Sequence, residues 1–298
     1  MRVPATSANL GPGFDALGLA LALHNEVVVE PADSVSVTIE GEGADTLERG
    51  PDNVVVRGAR AVYERAGRPF QGLRVTCVNR IPTGRGLGSS AAAWLSGMAG
   101  ANALVGEPFD RLALLTLAAT HEGHPDNVAA ALLGGLTASC WRDGEVVAVS
   151  LPVPSEVRWV VLIPETKGST AEARAVLPPN VPRADAVFNL QRLALFLGGL
   201  QARRPDLLGI AMEDRLHQPY RRRLFPWMEA VIAAARGAGA LGCVLSGAGP
   251  SLLAAVSVSA QPVGRAMEQA LSDAGIRGVA RVLDVDRTGT VWEVRQGP

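Results

Sequence analysis

Lysine is almost missing from this sequence. Lys167 is the only one; arginine carries the rest of the positive charge, and 29 acidic residues bring the formal net charge to −1. There is no basic field or polybasic run to meet nucleic acid or a membrane surface, so neither is expected as a partner. Long apolar runs are also missing. The richest stretch, Ala91 to Val105, is broken by Ser96, Gly97, Gly100 and Asn102, and falls short of the roughly 18 uninterrupted residues that a bilayer span requires. Cysteine is limited to Cys77, Cys140 and Cys243. All three sit in apolar, strand-like surroundings without CxxC or ligand spacing, which predicts buried thiols in a reducing compartment. The opening MRVPATSANLGPGFD has glycine, proline and polar residues where a signal peptide carries its apolar stretch. A soluble, cytoplasmic protein is expected.

What is present is a compact globule: 298 residues, 48% apolar and 19% charged, long enough for two domains of ordinary size. Two strands are predicted over Leu21–Glu30 and Ser34–Glu40, a helix over Asn53–Ala66 and a strand over Leu73–Asn79, from alternation and helix-stop signals. A glycine-rich loop follows, then the alanine-rich helix Ala91–Leu104, a helix over Arg111–Thr120, and strands over Leu136–Trp141 and Val146–Val153. Pro152 and Pro154 punctuate the chain there, which places a boundary between domains 1–153 and 154–298. The second half reads as α+β. It has strands over Val157–Ile163, Leu241–Leu245, Leu252–Val258, Gly278–Val285 and Thr290–Val294. Its helices are expected over Ala171–Val176, Asp185–Leu200, Asp206–Leu216, Trp227–Ala238 and Val263–Ala274. No internal repeat or low-complexity segment is visible.

The strongest chemical signal is the loop Pro82-Thr83-Gly84-Arg85-Gly86-Leu87-Gly88-Ser89-Ser90. Its glycines uncover backbone N–H groups, and the helix that follows adds the partial positive charge of its N-terminus, which together suit phosphate. Ser89 and Ser90 sit where a hydroxyl can reach a cation on such a phosphate. Read alone, the loop is equally a flexible turn; strand before and helix after favour the anion site. No lysine follows the last glycine, so this is no P-loop. It is no dinucleotide fingerprint either, nor a GxSxG elbow. Glu122-Gly-His124-Pro-Asp126-Asn127 gathers two carboxylates, an imidazole and an amide at a helix start. On its own the segment reads as a helix start, with Asp126 a cap, Pro125 an opener and Glu122 a solvated acid; beside a phosphate loop its acids suit Mg²⁺ and the placing of an attacking hydroxyl. Ser246-Gly-Ala-Gly-Pro-Ser251, between two apolar strands, is either a hairpin turn or backbone passing close to a ligand.

Together with Pro4-Ala-Thr-Ser-Ala-Asn9-Leu-Gly-Pro-Gly-Phe-Asp15-Ala-Leu-Gly18, the glycine loop and Ser246-Gly-Ala-Gly-Pro resemble the three motifs of the GHMP kinases. That family includes galactokinase, homoserine kinase, mevalonate kinase and phosphomevalonate kinase. The wording PATSANLGPGFDALGLAL, EGHPDNVA, LLGG and HQPYRRRLFP is similar to the homoserine-phosphorylating branch. The segments run from residue 4 to beyond residue 250, so the resemblance spans nearly the whole chain.

The resemblance implies a two-domain α+β fold: an N-terminal α/β domain like ribosomal protein S5, a C-terminal ferredoxin-like α+β domain, and the site in the cleft between them. It implies transfer of the γ-phosphoryl group of ATP, with Mg²⁺, to the side-chain hydroxyl of L-homoserine, a step of threonine biosynthesis. Carried over by motif, Pro82, Thr83, Gly84, Arg85, Gly86, Leu87, Gly88, Ser89 and Ser90 wrap the phosphates, and Ser90 and Glu122 hold Mg²⁺. Asn9, Asp15, His124, Asp126, Thr170, Arg174 and Arg221 surround the amino acid. Asp126, Asn127, Glu122 and Ser90 form the catalytic set, with no general base singled out. A small-molecule substrate is the partner implied, and a homodimer is left open.

Three departures from the family pattern are visible. The first motif begins at Pro4, leaving almost nothing for the strand that normally leads into it; Ala130 stands where proline is common; and Ser251 replaces a usual threonine. Two other readings stand beside this one, a non-catalytic sensor of ATP and an amino acid, and a mevalonate-type or sugar kinase. Ser90, Glu122 and Asp126 argue against the first. The two arginines facing several acids argue against the second, because they suit a zwitterion better than a neutral polyol.

Overall fold

The computed structural model describes residues 1–257 and 259–295. The chain opens with strands β1 (Arg2–Ala8), β2 (Leu17–Pro31) and β3 (Ser36–Gly41), helix α1 (Val54–Arg65) and strand β4 (Leu73–Asn79). Helices α2 (Ser89–Leu104), α3 (Arg111–Glu122) and α4 (Asp126–Leu133) follow, then strands β5 (Leu136–Arg142) and β6 (Glu145–Leu151). These six strands form one sheet, in the order β3-β4-β2-β5-β6 with β1 laid against β2. β2 is long enough to serve two sets of neighbours. Its first half pairs with β5 and β1, its second half with β4, and the β1 register shifts between Pro4 and Ala5.

The second half begins with β7 (Arg158–Pro164), α5 (Thr170–Ala175) and α6 (Arg183–Gln201). A 3₁₀ turn over Pro205–Leu207 leads into the short helices α7 (Leu208–Ala211) and α8 (Gln218–Arg221). Then come α9 (Met228–Gly237), β8 (Gly242–Leu245), β9 (Leu252–Val256), α10 (Ala260–Asp273) and β10 (Gly278–Leu283). The four strands form an antiparallel sheet in the order β10-β7-β9-β8.

Strand alternation divides the core in two. Val160, Leu162, Leu252, Ala254, Cys243 and Leu245 pack with Val231 of α9 and Val263 and Met267 of α10. The opposite face of the same sheet, with Trp159, Val161, Val244, Leu253 and Ala255, belongs to the core that holds Leu19, Leu95 and Phe196. One hydrophobic body therefore runs across both halves. At roughly 1.5–3 kcal/mol per buried large side chain, that continuity holds the halves in fixed relation.

The structure corrects several expectations. The first motif opens within a strand, since Pro4 to Ala8 are the body of β1, and continues as a loop up to β2. Asp206–Leu216 is not one helix. Apolar residues at helical spacing end with α7, and the Asp214 carboxylate then accepts the amides of Leu216, His217 and Gln218, turning the chain sharply into α8. Thr290–Val294 is not a strand. Val291 makes an isolated bridge to Arg2, while Thr290 donates its hydroxyl to Ala131 O and accepts from Arg111. Of the strand expected over Leu252–Val258, Val258 lies outside the described residues. Cys77 and Cys243 are buried free thiols, and burial pushes them up to about 11 and about 12. Cys140 is exposed, because it sits opposite the exposed Val147 on the outward face of the β5–β6 pair.

After β10 the chain returns to the first sheet. Val285 bridges Leu21 and Val291 bridges Arg2. Asp286 fastens this return, with its carboxylate 2.7 Å from His24 Nε2 while it also accepts the amides of Thr288 and Gly289. Burial works against its charge, but the bonds from His24 and the two amides outweigh it and hold Asp286 below its ordinary value. A depressed carboxylate contributes stability above its unfolded-state pKa and loses it as pH falls through the folded one. Asp286→Asn is therefore expected to lower unfolding stability at pH 7 by about 1–3 kcal/mol. Chemical denaturation across pH should show the gap to wild type closing below about pH 4.

Candidate active site

The glycine loop is seated on β1. Thr6 N donates to Leu87 O (3.0 Å), and Thr6 Oγ1 donates to Asn127 Oδ1 (2.8 Å). Gly88 occupies the N-cap of α2 with φ +70°, and a Cβ there would lie 1.9 Å from Thr6 Oγ1. Glycine thus meets two demands at once: a left-handed backbone and contact with β1 too close for any side chain. The first amides of α2 have no side-chain cap and open into the cavity beside Ser89 and Ser90. Arg85 braces the loop from behind, its guanidinium donating to the carbonyls of Thr83, Pro164 and Glu165.

Across from the loop, α3 ends on Glu122, and Ser90 Oγ donates to Glu122 Oε2 (2.7 Å). This pair fits Mg²⁺, which is held by one or two carboxylates and completes its shell with water and phosphate oxygens. Among the described residues no group of three or more His, Cys, Asp or Glu side chains could hold a metal unaided, so the fit requires the phosphates. Pro125 stands at the cap position of α4 and Asp126 is its first residue. Asp126 Oδ1 accepts from Asn127 N and faces His124 Nδ1 at 2.8 Å. Asp126 therefore reinforces the helix start and also lines the cavity. Helix α4 reaches this place because Gly18 of β2 has no side chain: a Cβ there would lie 2.2 Å from Asp126 O. Burial opposes protonation of His124, but the hydrogen bond and charge of Asp126, with Glu122 beyond it, raise its pKa above the ordinary value.

On the opposite wall Asn9 donates to Gly247 O and accepts from Asp15 N. Asn9 and Asp15 both have left-handed backbones (φ 71° and 55°). Arg174, on α5, makes a two-pronged ion pair with Asp15 at 2.7 and 3.0 Å. That hydrogen bond is the main cause of its raised pKa. Arg221 differs. Its side chain is buried (2% exposed), and it donates to Ala173 O, Gly247 O and His217 Nδ1. Among the described residues no carboxylate pairs with it, and burial, helped by Arg174 and opposed by the more distant Asp15, Asp214 and Asp126, lowers its pKa to about 10. At neutral pH it is a buried cation facing the cavity.

One cavity of about 140 Å³ brings together Asn9, Asp15, Pro82, Gly84 to Ser90, Glu122, His124, Asp126, Asn127, Thr170, Arg174 and Arg221. Thr83 is the exception, and lines a neighbouring cavity with Gly43, Thr46, Asn79, Arg80 and Lys167. Lys167, which the sequence reading leaves outside the site, lies beside the loop: a Cβ at Gly84 would be 3.5 Å from the Lys167 Cβ. Gly247 and Ala248 also line the main cavity, so the 246–251 segment is both hairpin turn and site wall. Thr6, Phe14 and His217 were not anticipated. Thr6 and Phe14 lie inside the first motif and His217 opens the HQPYRRRLFP run, but nothing in their residue type singles them out there.

A loop that presents helix-terminal amides, a hydroxyl–carboxylate pair for a divalent cation and a wall of mixed charge define a small-molecule kinase cleft. The family model for the GHMP kinases N terminal domain matches residues 53–135, and that for the GHMP kinases C terminal matches residues 196–273. The chain belongs to the GHMP kinase family. Within it, similarity over the full length is to homoserine kinases: that of Moorella thermoacetica is 47% identical over 98% of both chains. The homoserine kinase of Persephonella marina is 42% identical over 99% of this chain and 98% of its own. The crystal structure of homoserine kinase from Cytophaga hutchinsonii superposes with a TM-score of 0.88 at 32% identity, covering 97% of this chain and 95% of that one. Mevalonate kinase of L. major, at 16% identity, TM-score 0.70 and 94% coverage of each chain, shares the fold.

Gly88→Val should abolish nucleotide binding. The new side chain would displace Thr6 from Asn127 and force the first turn of α2 out of place. Titration with a non-hydrolysable ATP analogue checks this, with circular dichroism to show that the variant is folded.

Proposed function

We propose that this enzyme transfers the γ-phosphoryl group of ATP to the side-chain hydroxyl of L-homoserine, giving O-phospho-L-homoserine, and that it works in the cytoplasm. The observation that carries the reading is Arg221, a buried guanidinium without an ionic partner among the described residues, in the same cavity as the glycine loop. Such a charge is costly unless something negative meets it. A carboxylate on the substrate supplies that partner, which a sugar lacks; mevalonate has a carboxylate too, but no ammonium group to meet the acids Asp15 and Asp126. Asp15 and Arg174 pair with each other across the same wall. A zwitterion carries those two charges in reverse and exchanges for the pair without leaving either residue unpaired. The named activity of the full-length relatives supports the same reading.

In this reading the amides at the start of α2 hold the phosphates, and Ser90 and Glu122 hold Mg²⁺, which neutralises charge on the phosphoryl oxygens when bound. Thr83 and Lys167 continue the nucleotide site into the neighbouring cavity. Asp126, fixed by His124 and by Asn127 N, receives and orients the substrate hydroxyl. Positioning is most of what phosphoryl transfer requires, because its transition state is loose.

ADP release should be faster with L-homoserine than with mevalonate or galactose, and equal rates would refute the assignment. Arg221→Lys should lower kcat/KM for homoserine on the order of 10- to 150-fold, the loss of a charge-assisted bond worth roughly 1.5–3 kcal/mol. Glu122→Gln should lower kcat strongly with the homoserine KM little changed, measured across Mg²⁺ concentrations.

A further inference from the structure

A buried guanidinium needs acceptors to fix its direction, yet a carboxylate among them would neutralise it before any substrate arrives. All three acceptors of Arg221 are uncharged: Ala173 O, Gly247 O and the imidazole nitrogen His217 Nδ1 at 3.2 Å. His217 is wholly buried, and its Nε2 lies 2.9 Å from Gly11 O. A carbonyl only accepts, so Nε2 carries the proton and Nδ1 keeps the lone pair that receives Arg221. A doubly protonated ring would present a hydrogen to the guanidinium. Burial lowers the His217 pKa and the charge of Arg221 adds to that, against the pull of Asp214. Asp214 Oδ2 is 3.5 Å from Nε2, and the Asp214 oxygens are occupied by the amides of Leu216, His217 and Gln218 and by Asn189 Nδ2. The imidazole stacks on Phe14 (5.2 Å, 22°). The guanidinium groups of Arg221 and Arg174 lie over the same ring at 5.3 and 5.7 Å.

We propose that His217 is a positioning and specificity-determining residue for the substrate carboxylate: a neutral buried acceptor that aims Arg221 into the cavity and leaves its charge unquenched. The inference rests on the amino-acid kinase reading and adds a residue that contacts neither substrate nor nucleotide. It accounts for why the turn after Asp214 is so firmly bonded, since that turn sets where His217 stands relative to Arg221, four residues on along α8.

The test is steady-state kinetics of the full chain as wild type, His217→Asn, His217→Leu and His217→Asp. L-homoserine is compared with 3-aminopropanol, its carboxylate-free analogue, used as substrate or competitive inhibitor. Asn places an acceptor oxygen near the position of Nδ1 and should keep the homoserine KM within about threefold, whereas Leu should raise it on the order of tenfold or more. Asp, which neutralises Arg221, should raise it at least as far as Leu. KM for ATP and all constants for 3-aminopropanol should stay within about threefold in every variant, because the bond at issue serves only the carboxylate. An unchanged homoserine KM in the Leu variant, or parallel losses on both ligands, would overturn the role. If the Leu variant also loses binding of the ATP analogue, the near-isosteric Asn and Asp variants decide, and equal homoserine KM values in those two reject the proposal. Wild-type enzyme that does not prefer homoserine over mevalonate and galactose would instead refute the underlying assignment, whatever the variants do.

Discussion

Three walls of the cavity are bonded to the seven residues of β1. Thr6 holds the phosphate loop through its amide and the start of α4 through its hydroxyl. Ser7 Oγ meets Ser246 Oγ at 2.8 Å, and Ala8 O accepts the amide of Gly247. Val3 to Ala8 are buried, so these bonds form away from water, where leaving one unmade is costly. Three segments distant in sequence are brought to one cavity because a single strand offers them adjacent docking points. The small side chains of that strand, Ala5, Thr6, Ser7 and Ala8, let them approach closely.

The charges in the cavity follow a simple division. Three acids line the cavity, and each is oriented by a neighbour: Glu122 by Ser90, Asp126 by His124 and the Asn127 amide, Asp15 by Arg174. In the glycine loop the one cationic side chain, Arg85, is taken up by the carbonyls of Thr83, Pro164 and Glu165, so what the loop offers is main-chain amides, which carry no net charge for a neighbouring carboxylate to neutralise. Arg221 follows the same logic with a side chain, surrounded only by neutral acceptors. Anion sites of this kind are ready before the anion arrives, which is the condition for binding energy to go into orientation and not into rearrangement.

Much of this was legible in the sequence because the chemistry lies in short contiguous runs. Gly84 to Ser90 and Glu122 to Asn127 combine residue types that suit phosphate and metal, but each run alone also reads as a turn or a helix start, and the strand-loop-helix order around them, which follows from local patterning, is what favours a site. Arg174 and Arg221 came only from the resemblance, since an arginine in an arginine-rich chain signals nothing alone. His217 and Phe14 stand in the quoted runs, but what they do is not legible there because it lies in long-range contacts: His217 bonds to Gly11 and stacks on Phe14. The misread helix over 206–216 has a related cause. Its apolar spacing is helical, but Asp214 captures the amides that would have continued it. Cys140 was assigned to the interior from the apolar character of its strand, and only the pairing with β6 decides which face of that strand meets water.

The bridge between Arg2 and Val291 has a consequence for how the molecule folds. β1 pairs along its length with β2, close in sequence, and at Arg2 with Val291, very far from it. The strand that carries the three site segments therefore has one neighbour that local folding supplies and another that only long-range folding can bring. Contacts of such sequence separation form slowly, since most of the intervening chain must be ordered before they close. Losing the Val291 pair leaves the motifs intact and removes the bond that secures the start of β1. The last step in fixing that strand is thereby placed in a backbone pair remote from the cavity.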